Sequence, residues 1–138
     1  MKRNLLLTLM MVMCLAVTSF AQERQYLLSS HILDITTGFP AQGVKIVLSK
    51  QNQDKTWYEL EERITDKNGR VRDFLEQKEN VDHTGIYKLT YHVGPYFKQQ
   101  SQDTFYPFIE VVFEIKDGSH YHVPITLSPF GYSTYRGN

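Results

Sequence analysis

Two histidines spaced two residues apart, His120 and His122, stand at the head of a segment of β-forming residues running from Tyr121 to Leu127. A strand's period of two puts both imidazoles on one face and sends Tyr121, Val123, Ile125 and Leu127 to the other. That apolar set belongs to a core. His122 is therefore expected on the outer face with Pro124 and Thr126, open to a ligand or a partner subunit, and Pro124, lacking an N–H, marks an edge or irregularity. An imidazole titrates near ~6.5, so acid–base chemistry at neutral pH is what this residue type offers. His31 lies in a second such segment, Leu27 to Ile35, with Leu33 and Ile35 on its side and Ser30, Ile32 and Asp34 on the other. Alternation there leaves open which face is core. Arg70 follows the turn Asp66-Lys67-Asn68-Gly69, whose Asn-Gly pair supplies the positive φ of a tight connection. Its guanidinium is a permanently charged fork of donors. Taken singly, each of these residues also has a plainer reading, as a surface imidazole or a solvated arginine.

Other chemistries fit poorly. The His120/His122 pair is at most an adventitious metal site, because zinc asks for three or four protein ligands and no third one is evident. No metal or organic cofactor is expected. There is no G-x-S-x-G elbow, no P-loop and no G-x-G-x-x-G. The acidic residues are scattered rather than paired as a glycosidase needs. His83, in a polar loop, and His92, near a strand end, receive no role.

The elements that must position these residues are short runs of β-branched and aromatic residues bounded by Gly, Asp, Asn and Pro. Leu27 to Ile35 reads as a first strand, and Thr36 to Pro40 as turn chemistry. Val44 to Lys50 and Thr56 to Thr65 are strands, with Val71 to Phe74 a short edge strand. Gly85 to Val93 alternates strongly. Gly94 to Gln100, opened by Pro95, is the one candidate helix. Phe108 to Ile115 and Tyr121 to Leu127 are strands joined by a hairpin loop, Lys116 to Ser119, and Tyr132 to Arg136 closes the chain. Seven to eight short strands at this spacing predict an all-β fold, an antiparallel β-sandwich with one short helix.

At the start, Lys2 and Arg3 precede an apolar run, Leu5 to Val17, and Ser19-Phe20-Ala21 places small residues before Gln22. This is the pattern of a secretory signal peptide over residues 1–21, with a single domain over 22–138. The run is short for a membrane span, which needs ~20 residues. No membrane association is expected after cleavage. Removing Lys2 and Arg3 turns 15 basic against 15 acidic residues into 13 against 15, a formal charge of −2. That balance gives no electrostatic case for nucleic acid. The only cysteine, Cys14, leaves with the leader, so no disulfide holds the exported domain.

The motifs Ser30-His31-Ile32-Leu33-Asp34, Gly38-Phe39-Pro40-Ala41, Thr65-Asp66-Lys67-Asn68-Gly69-Arg70, His120-Tyr121-His122-Val123-Pro124, Ser128-Pro129 and Tyr132 to Asn138 occur in this order. Together they resemble the 5-hydroxyisourate hydrolases, the transthyretin-like enzymes of urate breakdown, from about Leu28 to the last residue. The resemblance implies a transthyretin-like (prealbumin) sandwich of two four-stranded sheets. It implies a homotetramer, a dimer of dimers, with sites in the channel where dimers meet. It implies that His31, Arg70 and His122 are the catalytic set and that Tyr135, Arg136, Gly137 and Asn138 form a substrate-binding tail. Asn138 replaces the family's terminal serine. The implied reaction is hydrolysis of 5-hydroxyisourate, a small purine-derived substrate, without metal or cofactor. It would run outside the cytoplasm, in the periplasm if the source is a Gram-negative bacterium. The alternative is a non-catalytic transthyretin-like protein that binds a small ligand.

Overall fold

Alternation of apolar and polar side chains resolves into nine strands and one helix in the computed structural model, which describes residues 24–138. The expected leader and its cleavage before Gln22 lie outside the described residues. In chain order the elements are β1 (Tyr26–Asp34), β2 (Phe39–Pro40), β3 (Lys45–Gln51), β4 (Trp57–Ile64), β5 (Arg70–Glu76), β6 (Gly85–Tyr91), α1 (Val93–Gln99), β7 (Ile109–Ile115), β8 (Tyr121–Ser128) and β9 (Gly131–Thr134). One sheet runs β4-β3-β6-β7. The other runs β2-β1-β8-β9, with β5 also paired to β1. Since β2 and β5 share one flank of β1, this sheet is four strands wide, as the resemblance implies.

The two inner faces interdigitate. Leu28, Ile32, Phe74, Ile125 and Leu127 come from one sheet and Ile46, Leu48, Leu89 and Tyr91 from the other, with Phe97 of α1 closing one end. Each is fully buried, which is worth roughly 1.5–3 kcal/mol per large side chain. The inner face of β1 also carries Ser30 and Asp34, both fully buried. Their polar atoms find partners in the same sheet, the facing sheet, the helix and the turn after β1. Ser30 Oγ donates to the Val123 carbonyl (2.9 Å) and lies 2.9 Å from the Tyr91 hydroxyl. Asp34 accepts from the Thr36 N–H and from the Tyr96 hydroxyl of α1, each at 2.9 Å.

Four details depart from the sequence reading. First, β1 and β8 pair in parallel, from Leu28 opposite Tyr121 to Asp34 opposite Leu127. Second, Lys116 to Ser119 is not a hairpin loop. β7 pairs with β6 and β8 with β1 and β9, so this loop carries the chain from one sheet to the other. Third, Phe39 and Pro40, read as turn, add a two-residue strand against Leu33 and Asp34. The last strand also stops at Thr134 instead of Arg136.

Candidate active site

With Leu28, Ser30, Ile32 and Asp34 turned inward, His31 is left on the outer face of β1, which settles the side that alternation left open. Register then aligns its neighbours. His31 is directly opposite Arg70 of β5 and Pro124 of β8, while Ser29, two positions back on the same face, is opposite His122. The three chemistry-bearing residues thus come from three adjacent strands, β5, β1 and β8, on one surface.

Arg70 is delivered there by the preceding turn. Asp66 Oδ1 accepts from the N–H groups of Asn68 (2.8 Å) and Arg70 (2.9 Å), and the Gly69 N–H donates to the Asp66 carbonyl (2.8 Å). Gly69 has φ +68°, and a side chain there would sit 2.5 Å from the Ile32 carbonyl oxygen, so only glycine fits. The turn is therefore stitched to β1 one residue from His31. Asp66 also pairs with Arg72 at 2.6 Å. Among the described residues, Arg70 has no such carboxylate partner. It is a cation available to an anionic ligand.

His122 is the more constrained imidazole. Its Nδ1 lies 2.8 Å from Ser29 Oγ, which lies at the same distance from Nε2 of His120, whose Nδ1 in turn reaches the Tyr26 carbonyl at 2.9 Å. Partial burial pushes the His122 pKa below its ordinary value of 6.5. The charge of Arg70 and the nearby His31 and His120 push the same way, while a main-chain contact to Ser29 opposes them. His31 is lowered chiefly by burial and then by Arg70, against a main-chain hydrogen bond to Asn68. Both rings are therefore predominantly neutral at neutral pH and able to accept a proton.

The tail docks on this surface. The Gly137 N–H donates to the His122 carbonyl at 2.9 Å. A Cβ on Gly137 would collide with Cδ2 of the His122 ring, so glycine lets the tail lie directly against the imidazole. A depression of about 310 Å³ is lined by Ser29, Arg70, Arg72, His120, His122 and Asn138, among others. Asn138 thus joins the site beside two of the expected catalytic residues. Tyr135 and Arg136 are not part of that lining. They line a neighbouring cavity of about 330 Å³ between β7 and β9, and the Arg136 guanidinium lies 5.1 Å over the Tyr121 ring. His122 borders both cavities. Ser29 was not legible as a site residue. A serine between two apolar positions and a buried one carries no signal until the strand register is known. Among the described residues, no three His, Cys, Asp or Glu side chains converge to hold a metal ion.

Comparison with known proteins adds four findings. Residues 28–137 match the model of the HIUase/Transthyretin family. The chain is 41% identical, across the full length of both, to the 5-hydroxyisourate hydrolase of Salmonella dublin. Among solved structures it resembles Klebsiella pneumoniae 5-hydroxyisourate hydrolase, with a TM-score of 0.69 and 34% identity, covering 82% of this chain and 94% of that one. It also resembles sea bream transthyretin in complex with thyroxine, with a TM-score of 0.73 and 28% identity, covering 80% and 94%. Backbone similarity does not separate a hydrolase from a thyroxine-binding protein; the side chains on the outer face must do so.

Proposed function

The chain belongs to the HIUase/transthyretin family, and we propose on that footing that it is a 5-hydroxyisourate hydrolase of urate catabolism, with His31, Arg70 and His122 as its catalytic residues. The observation that carries this reading is the alignment of two pKa-lowered imidazoles with an unpaired guanidinium across β5, β1 and β8. A carrier of an apolar aromatic ligand has no use for that set, and the curated relative aligned end to end is a hydrolase.

Ring opening of 5-hydroxyisourate is hydrolysis of a cyclic acyl–nitrogen bond. A water oxygen bonds to the acyl carbon while one imidazole takes the water proton. The carbonyl oxygen gains negative charge, which the Arg70 fork stabilises more strongly as it develops. The carbon–nitrogen bond then breaks, and the leaving nitrogen takes a proton from an imidazolium. Proton supply and demand cancel over the cycle, so two histidines and an arginine suffice. Gly137 lies against the His122 ring, and Asn138 lines the depression that His122 and Arg70 share.

The free edges support assembly into the homotetramer. Among the described residues, β7 pairs only with β6 and β9 only with β8, and one cavity is lined by both strands, so two ladders are open there on the same side. The leader read in residues 1–21 supports export, to the periplasm in a Gram-negative cell. An exported protein whose mass begins at Gln22 is the expected product.

The test is turnover of freshly generated 5-hydroxyisourate, followed against its spontaneous decay. Wild-type protein is expected to accelerate the decay well beyond background, and His122→Ala and Arg70→Ala each to remove most of the acceleration. Full activity in both variants would reject the assigned site; ligand binding with no turnover by wild-type protein would favour a carrier.

A further inference from the structure

The proposed site contains two polar groups with no part in the scheme above, Ser29 and His120, joined to His122 in an unbroken chain of contacts. We propose that Ser29 and His120 form a hydrogen-bond relay that fixes neutral His122 in the tautomer with its proton on Nδ1, leaving Nε2 bare to accept the water proton. The assignment rests on the hydrolase reading for its consequence, but not for its geometry.

Directionality follows from one end. The Tyr26 carbonyl can only accept, so the His120 nitrogen facing it, Nδ1 at 2.9 Å, must donate. A neutral imidazole has one donor and one acceptor, so Nε2 of His120 accepts. Its partner at 2.8 Å is Ser29 Oγ, which therefore donates its single proton there. With that proton committed, Ser29 Oγ meets His122 Nδ1, also at 2.8 Å, as an acceptor. Nδ1 of His122 must then carry the proton. Nε2 is left with a free lone pair beside the ring carbon Cδ2 that packs against Gly137. The arrangement does for this imidazole what a carboxylate does for a catalytic histidine elsewhere, holding both the tautomer and the ring plane. Here the work is done by a serine that is itself 9% exposed and a histidine outside the strand.

Register makes the relay possible. Ser29 is opposite His122 in the parallel ladder and sits at the shift in register between Leu28 and Ser30 against β5. Ser29 and His120 are positioning residues, since they act through His122 rather than on substrate.

The experiment reads the tautomer directly. Nitrogen-15 chemical shifts of the histidine rings in wild-type protein at about pH 8, above the ordinary histidine range, are expected to show His122 protonated at Nδ1. Ser29→Ala is expected to move His122 toward the Nε2–H form and to lower kcat by about tenfold with KM little changed. Ser29→Thr, which retains the hydroxyl, is expected to retain the Nδ1–H form. His120→Ala alters an exposed residue and so avoids a folding defect. It frees the serine hydroxyl to donate to His122, and a mixture of tautomers is expected. An Nε2–H His122 in wild-type protein would overturn the relay, as would a tautomer unmoved by both Ser29→Ala and His120→Ala. Wild-type protein with the Nδ1–H tautomer but no turnover would count for the relay and against the hydrolase reading.

Discussion

His31 and His122 are held below the usual histidine pKa by partial burial and by Arg70, and this sets the pH response in two ways. For catalysis, a protonated imidazole cannot take the water proton, so the acid limb of kcat/KM is expected below pH 6.5. A profile flat from about pH 5 to about pH 8 would argue against an imidazole base. For stability, the native state binds fewer protons than the unfolded chain between the depressed values and 6.5. Stability is therefore level above 6.5, where both states are neutral, and falls as the pH drops through that window. Denaturant melts across the same range would separate the two effects. The orientation of His122 was readable in advance because Tyr121, Val123, Ile125 and Leu127 form an unmixed apolar face. That of His31 was not, because Ser30 and Asp34 are buried polar residues whose partners, Tyr91 and Tyr96, lie about 60 positions away in the chain.

At the scale of elements, the helix is tied to the site strand through one carboxylate. Asp34 terminates β1, caps the following turn through Thr36 and receives the Tyr96 hydroxyl from α1. Burial, followed by the hydrogen bond to Asp34, raises the Tyr96 pKa, so the hydroxyl stays a donor at any working pH. Tyr96→Phe leaves one buried carboxylate oxygen without this donor and is expected to cost about 1–3 kcal/mol. Asp34→Ala removes both interactions and is expected to cost more, measured as a shift in the urea midpoint at constant slope. Strand existence was legible from composition and alternation except at β2, whose two residues read as turn chemistry. Pairing was less so: Asp117-Gly118 is good turn chemistry, but nothing local says that the strands on either side enter different sheets. The parallel partnership of β1 with β8 is equally silent in the sequence, since it depends on how the intervening strands stack.

At the scale of the molecule, β7 and β9 are unpaired on one side among the described residues, and this is the face on which the proposed assembly rests. Light scattering is expected to report a homotetramer. Val112→Lys, which sets a charge on the exposed surface of β7, is expected to lower the mass toward dimer or monomer while circular dichroism stays that of a sandwich. A monomer at micromolar concentration with full activity would refute the need for assembly. The exported form proposed above, residues 22–138, contains no cysteine, so subunit contact would supply what cross-links supply in small exported domains.

The parallel ladder between the first and the penultimate strand also fixes when the protein can work. Ser29 and His122 are 93 positions apart in the chain, yet they face one another across adjacent strands. A nascent chain that has emerged as far as β7 already contains His31 and Arg70 but holds nothing to set against them. Closing so long a loop is slow, and it comes at the end of synthesis. Catalysis is therefore timed to the completion of folding: in a refolding experiment, hydrolytic activity is expected to return together with the burial of Tyr91, and no earlier.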